Sequence, residues 1–155
     1  MSRAFTREEN AENAVADIGE RPVSSHRNLV TQAGLEMIEA GIAEARAELQ
    51  SAESQADKLR AASVMRDLRY WLARHESAEL SVPEPGSDVV RFGMTVALEG
   101  EDGKSVSWKI VGEDEADPAK GSISHVSPMA RALFGKSAGD VVSVNGKEWE
   151  IVGLE

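Results

Sequence analysis

Two runs of apolar residues at heptad spacing, parted by a short polar stretch, limit what this chain can fold into more than any other feature. In VTQAGLEMIEAGIAEARAELQSAE, Leu35, Ile38, Ile42, Ala45, Leu49 and Ala52 recur at alternating steps of three and four. That spacing draws one stripe along an α-helix. ADKLRAASVMRDLRYWLARHESAEL repeats it with Ala61, Met65, Leu68, Leu72 and His75, widened by Val64 and Trp71. The join, SAESQAD, is polar and short, which favours an antiparallel helical hairpin. A single continuous helix is the alternative, since no Gly or Pro breaks the join, but it leaves both stripes exposed without a partner. Thr31 is placed to cap the first helix, with Val30 and Leu35 as a hydrophobic staple around it. The helices are expected over about Thr31–Ser51 and about Ala56–Ala78, each on the order of 30 Å long at about 1.5 Å per residue.

The flanks read differently. Residues 1–29 are polar and end near Pro22 and a Ser/Asn-rich stretch, so an unordered arm is expected, with room for a short helix around Thr6–Ala16. Residues 30–81 carry the hairpin, and VPEPGSD, with two prolines and a glycine, predicts a linker over 82–88. Residues 89–155 are β-rich: VRFGMTVALEG alternates, EDGK turns into SVSWKIVG, and Asn145-Gly146 between VVSV and EWEIVGL signals a hairpin. Ser127-Pro128 before MARALF predicts one short helix with Ser127 as N-cap and Pro128 in first helical position. The fold class is therefore α+β, an N-terminal coiled-coil hairpin followed by a small antiparallel β domain with one short helix.

GEDEADPAKG concentrates four carboxylates, Glu113, Asp114, Glu115 and Asp117, ahead of a proline. Its centre spells a helicase box, and ARALFGKS misses a phosphate-loop pattern only because Ala130 stands where the first glycine belongs. The missing glycine, the absence of a strand–loop–helix setting and the order of the two motifs all reject an ATPase. With no cysteine there are no disulfides or thiolate metal sites, and a reducing compartment fits. The three histidines are widely spaced and offer no imidazole metal site. No stretch suits a signal or a membrane span, so a cytoplasmic protein is expected. Net charge is −10 with no basic segment, which disfavours binding to a phosphate backbone by charge alone. A protein partner with basic patches suits it better.

Three motif strings carry a family resemblance: Thr31-x-x-Gly34-Leu35; Ile110-Val111-Gly112-x-Asp114-Glu115-Ala116-Asp117; and Ile123-Ser124-x-x-Ser127-Pro128-x-Ala130-Arg131-Ala132-Leu133-x-Gly135-Lys136-x-x-Gly139-Asp140. Over residues 30–155 the chain resembles the Gre family of bacterial transcript-cleavage factors. The resemblance implies an FKBP-like C-terminal domain that docks at the secondary channel of bacterial RNA polymerase. It puts Asp114, Asp117, Ser127, Pro128 and Arg131 on the polymerase-binding side. The plainer reading is architectural: Ser127 and Pro128 start a helix, and the glycines make turns.

Cleavage-stimulating members of the family carry an acidic pair at the tip of a long coiled coil, where it helps hold a Mg²⁺ ion in the polymerase active site. Here the hairpin is several turns shorter, and the tip SAESQADK offers only Glu53 and Asp57. These could act catalytically by binding one ion weakly from a shared helical face, or be solvated turn residues with Asp57 as a cap. A short hairpin is similar to that of the Gre-related regulator of nucleoside diphosphate kinase. This implies a polymerase-binding regulator of elongation without strong cleavage stimulation, the alternative being a true cleavage factor; a monomer is expected. No enzyme activity, metal site or cofactor of its own is expected, Mg²⁺ belonging to the polymerase, and neither sequence-specific DNA nor membrane is an expected partner. A stand-alone prolyl isomerase, suggested only by the FKBP-like fold, needs an aromatic-lined pocket for which Phe92, Trp108, Phe134 and Trp149 are the sole candidates, several of them required by the core. Lys58, Arg60, Arg66, Arg69 and Arg74 on helix two are read as a solvated, salt-bridged face or as a contact for nucleic acid or an acidic wall. Trp71 and His75 are expected near the apolar seam, with Tyr70 at its edge.

Overall fold

A computed structural model describes residues 3–155, apart from the side chains of 3–8 and 11. The chain forms two compact units, residues 3–25 with 37–77 and residues 26–36 with 78–155.

The first unit is helical. Helix α2 (Gln32–Ser54) begins in the second unit and supplies its residues from Met37 onward here, returning through α3 (Lys58–Ser77). Along α2 the expected stripe is realised: Ile38, Ile42, Ala45 and Ala52 are buried, with Leu49 half-buried. On α3 the stripe is rotated by about one residue from the expected seam. Val64 and Arg74 are buried, whereas Met65, Leu72 and His75 are exposed. His75 sits at the rim, its Nε2 3.6 Å from Glu39 Oε1. Arg74 corrects the picture of a solvated basic face, because it is only 1% exposed.

The connection is a tight Schellman turn. Asp57 N–H donates to the Ala52 carbonyl at 2.9 Å and Ala56 N–H to that of Glu53 at 3.1 Å, with Ala56 held left-handed at φ +52°. Asp57 then caps α3 by accepting the Arg60 N–H at 3.1 Å.

In the N-terminal arm, the short helix expected around Thr6–Ala16 forms as α1 (Arg3–Ala16), packed against α3. The segment after it is pinned by side chains rather than by a core. Arg69 holds Glu20 in a two-pronged ion pair at 2.5 and 3.0 Å. The Arg21 guanidinium lies 3.8 Å from the Tyr70 ring centroid, with Nη1 3.4 Å from Asp67 Oδ1. Local polarity concealed this pinning, because the side chains that receive the arm lie on α3, with Arg69 49 residues from Glu20.

The second unit is built on a five-stranded sheet, in order β5-β4-β3-β7-β6. Before it come β1 (Asn28–Val30) and β2 (Ala78–Leu80), which pair in parallel. The sheet strands are β3 (Thr95–Gly100), β4 (Ser105–Val111), β5 (Ser122–Ser124), β6 (Val141–Val144) and β7 (Lys147–Leu154), with α4 (Pro128–Leu133) between β5 and β6. All neighbours are antiparallel except β4 and β5. Alternation explains the core: Val96 and Leu98 of β3, Ile110 of β4, Ile123 of β5, Val142 of β6 and Ile151 of β7 turn inward with Val90 and Phe92, covered by Ala130 and Leu133 of α4. Asn145 and Gly146 both take positive φ, +53° and +77°, as a two-residue hairpin between right-twisted strands requires.

The root of the hairpin differs from the sequence boundaries. Residues 26–36 and 78–81 belong with the sheet unit rather than with a helical segment spanning 30–81. The β1–β2 ladder, the Ser81 N–H to Val30 carbonyl bond at 3.0 Å and the Arg27–Glu79 ion pair at 2.9 Å tie them together. Pairing across so many residues leaves no local pattern to read. The Pro/Gly segment 82–88 is mostly exposed, with Pro83 lying against Gly93, where a Cβ would fall 3.0 Å from Pro83 Cδ.

Candidate functional site

The acidic segment 112–121 is the crossover between the parallel strands β4 and β5. Such a connection must turn back over the sheet, so it is held by the protein rather than extended into solvent. Glu113 to Asp117 are all half-buried. At its start Gly112 leaves no room for a side chain, since a Cβ would fall 2.4 Å from the Leu29 carbonyl oxygen of β1. Ala116 N–H donates to the Gly112 carbonyl at 3.1 Å and closes the first turn.

Glu115 is the anchor of this loop. Its carboxylate accepts the Thr31 hydroxyl, and the same Thr31 oxygen accepts the Gly34 N–H at 3.0 Å, capping α2. Gly34 permits the approach, because a Cβ there would lie 2.7 Å from Glu115 Oε1. The negative charge also faces the positive end of the α2 dipole. Thr31-x-x-Gly34 is thus a cap and a seat for Glu115 together; the cap was legible and the seat was not.

Asp117 is held by its backbone alone. Its N–H donates to the Ser122 carbonyl at 3.1 Å and to Ser122 Oγ at 3.0 Å, while Ser122 N–H returns a bond to the Asp117 carbonyl at 3.1 Å. The Asp117 carboxylate does not cap the 3-10 turn Pro118–Lys120 that follows. Fixed main chain and an unused carboxylate suit a contact residue. Asp114, equally half-buried, is by contrast already engaged within the chain.

At the other end of β5, Ser127 N–H donates to the Ser124 carbonyl at 2.9 Å, and Ser127 Oγ accepts the Ala130 N–H at 3.3 Å. Ser127 is therefore the expected N-cap, with Pro128 exposed in the first position of α4 and Arg131 exposed one turn on. Among the described residues Arg131 makes no ion pair. One short strand thus carries both groups, Asp117 fastened to Ser122 and Ser127 to Ser124, about 7 Å apart along β5.

Glu53 and Asp57 are exposed in the helical unit, and Asp57 is occupied as a cap. Among the described residues no three His, Asp or Glu side chains group as metal ligands. The phosphate-loop-like Gly135-Lys136-Ser137 is a turn after α4. Its N–H groups donate to the carbonyls of Val90 and Leu133 and to Asp140 Oδ2, at 3.0, 3.0 and 2.8 Å, so none is left to cradle phosphate.

Two ion pairs perturb their own titration. A hydrogen bond from Arg69 holds the Glu20 carboxyl below the usual carboxylate value, and one from Arg27 does the same for Glu79.

The family model described as "Transcription elongation factor, GreA/GreB, C-term" matches residues 84–155. A transcription elongation factor GreA of Anaeromyxobacter sp. is 42% identical over 121 residues, covering 71% of this chain and 72% of that protein. That of Methylococcus capsulatus is 39% identical over 138 residues, covering 82% of this chain and 86% of its own length. For the GreA of Bradyrhizobium diazoefficiens, 45% identical over 94 residues, the match spans 57% of this chain and 59% of the relative. The solved GreA factor homolog 1 (Gfh1) of Thermus thermophilus is 25% identical, with 84% of this chain and 99% of that chain covered at a TM-score of 0.41. With identities of this order over more than two thirds of full-length relatives, the chain belongs to the GreA/GreB family of transcription elongation factors.

Proposed function

We propose that this family member is an RNA polymerase-binding regulator of transcript elongation that docks at the secondary channel through its sheet unit. The observation that carries this reading is Asp117, whose main chain is locked to Ser122 while its carboxylate is left unused by the fold. Pro128 and Arg131 complete the docking face from the other end of β5, with Ser127 presenting Pro128 by capping α4. Asp114 and Glu115 shape the loop from within. Contacts made from a main chain that is already fixed lose less entropy on binding than contacts from a mobile loop.

The helical hairpin acts in this reading as an occupant of the channel entrance, without strong stimulation of cleavage. Helix α2 has 23 residues and α3 has 20, so each is on the order of 30 Å long. The tip is closed by a Schellman turn and an Asp57 cap, which ties up the carboxylate a metal would need. Glu53 alone is a poor ligand for a hard cation that takes several oxygens. The protein has no enzyme activity or cofactor of its own in this account. It works as a monomer in the cytoplasm, and the only Mg²⁺ involved is the polymerase's.

The test is RNA cleavage in a backtracked elongation complex, with the protein alone and in competition with an authentic cleavage factor. Loss of that factor's activity without stimulation supports the proposal. Stimulation that disappears in Glu53→Ala/Asp57→Ala would instead favour a true cleavage factor.

A further inference from the structure

We infer that the N-terminal segment is an intramolecular clasp on α3 that must come off before the hairpin can enter its binding site on the polymerase. The inference rests on the proposed channel-docking function and adds a control over it.

A hairpin of two helices has a cross-section set by one interaxial distance, about 8–10 Å plus side chains. With α1 packed on α3 the unit becomes three helices wide at that level. A site fitted to the two-helix cross-section excludes the third helix. The arm also covers the side chains that an inserted α3 would present. Glu20 neutralises Arg69, and Arg21 stacks over Tyr70 while reaching Asp67.

The attachment is of a kind that releases. It is made through half-exposed ion pairs, Arg69 being 49% and Glu20 67% exposed at the side chain, and such pairs are individually weak and screened by salt. By contrast, the hairpin itself is held by a buried stripe and by Trp71 seated on Gly41, so the clasp can open without unfolding it. A cover held this weakly is displaced by a partner that gains more from the hairpin than the arm does.

Because the natural chain has no cysteine, a lock can be installed uniquely. Glu20→Cys and Arg69→Cys, joined by a bismaleimide with a reducible spacer, give one molecule that is closed until reductant is added. The readout is competition with a cleavage factor on elongation complexes. The clasp requires the closed form to compete at least about tenfold less well than the same sample after reduction, and Glu20→Lys in the otherwise natural chain to compete about threefold to tenfold better than the parent. Equal competition before and after reduction overturns the clasp alone. No competition by the reduced form or by the natural protein overturns the docking function, and the clasp with it.

Discussion

The hydroxyl of Thr31 donates to the Glu115 carboxylate while its oxygen accepts the Gly34 N–H, so one side chain both caps α2 and fixes the acidic loop. This ties the conformation that presents Asp117 to the root of the hairpin within the sheet unit.

Thr31→Ala removes a cap and the loop's anchor together. It is expected to destabilise the protein by about 1–3 kcal/mol in chemical denaturation. Asp117→Asn keeps the backbone bonds to Ser122 and should change stability by less than about 0.5 kcal/mol, while weakening polymerase binding. A large loss of stability in Asp117→Asn would mean that its carboxylate serves the fold.

Gly41 occupies mid-helix, where Ala would ordinarily stabilise by about 1 kcal/mol. Here a Cβ would lie 2.8 Å from the Trp71 indole. Gly41→Ala is therefore expected to be net destabilising, by about 1–2 kcal/mol, with Trp71 displaced. Thermal denaturation together with Trp71 fluorescence, read in a background with Trp108 and Trp149 replaced by Phe, checks both.

At the hairpin tip the sign is opposite. Ala56 holds φ +52° in a turn that favours glycine. Ala56→Gly should raise stability by about 0.5–1 kcal/mol, whereas Asp57→Ala should lower it by about 1 kcal/mol through loss of the α3 cap. Paired denaturation curves of the two variants would separate these effects.

The arm contact has a defined acid limb. Arg69 lowers the Glu20 carboxyl from its ordinary 4.5, so the pair's contribution is complete above that pH and is lost as pH falls through the depressed folded value. An NMR titration of the Glu20 carboxyl carbon should give a midpoint below 4.5, returning to it in Arg69→Ala. The depression should shrink in 1 M salt, where the screening length is about 3 Å.

Much of this architecture was legible because it is written in local periodicity. The α2 stripe, the Asp57 and Ser127 caps, the Asn145-Gly146 hairpin and the sheet's alternation each depend on neighbours a few residues apart. What escaped depends on distant partners. The β1–β2 pair, Glu115 seated on Thr31 and the α1–α3 contact join residues from opposite ends of the hairpin or beyond it. On α3 the heptad count favoured Met65, Leu72 and His75, but burial of Arg74 shifts the inward face by one residue, because a charged residue is not counted as core. The phosphate-loop likeness failed for the opposite reason: its letters were nearly right, but its N–H groups were committed to the fold.

The most direct measurement of the central claim is cleavage of the nascent RNA in backtracked complexes, with this protein added to an authentic cleavage factor. The expected result is concentration-dependent loss of that factor's stimulation, with none from this protein alone, and a weaker effect for Asp117→Asn. Undiminished stimulation at saturating protein would contradict the proposed docking, and stimulation by this protein alone would contradict the role given to its short, capped tip.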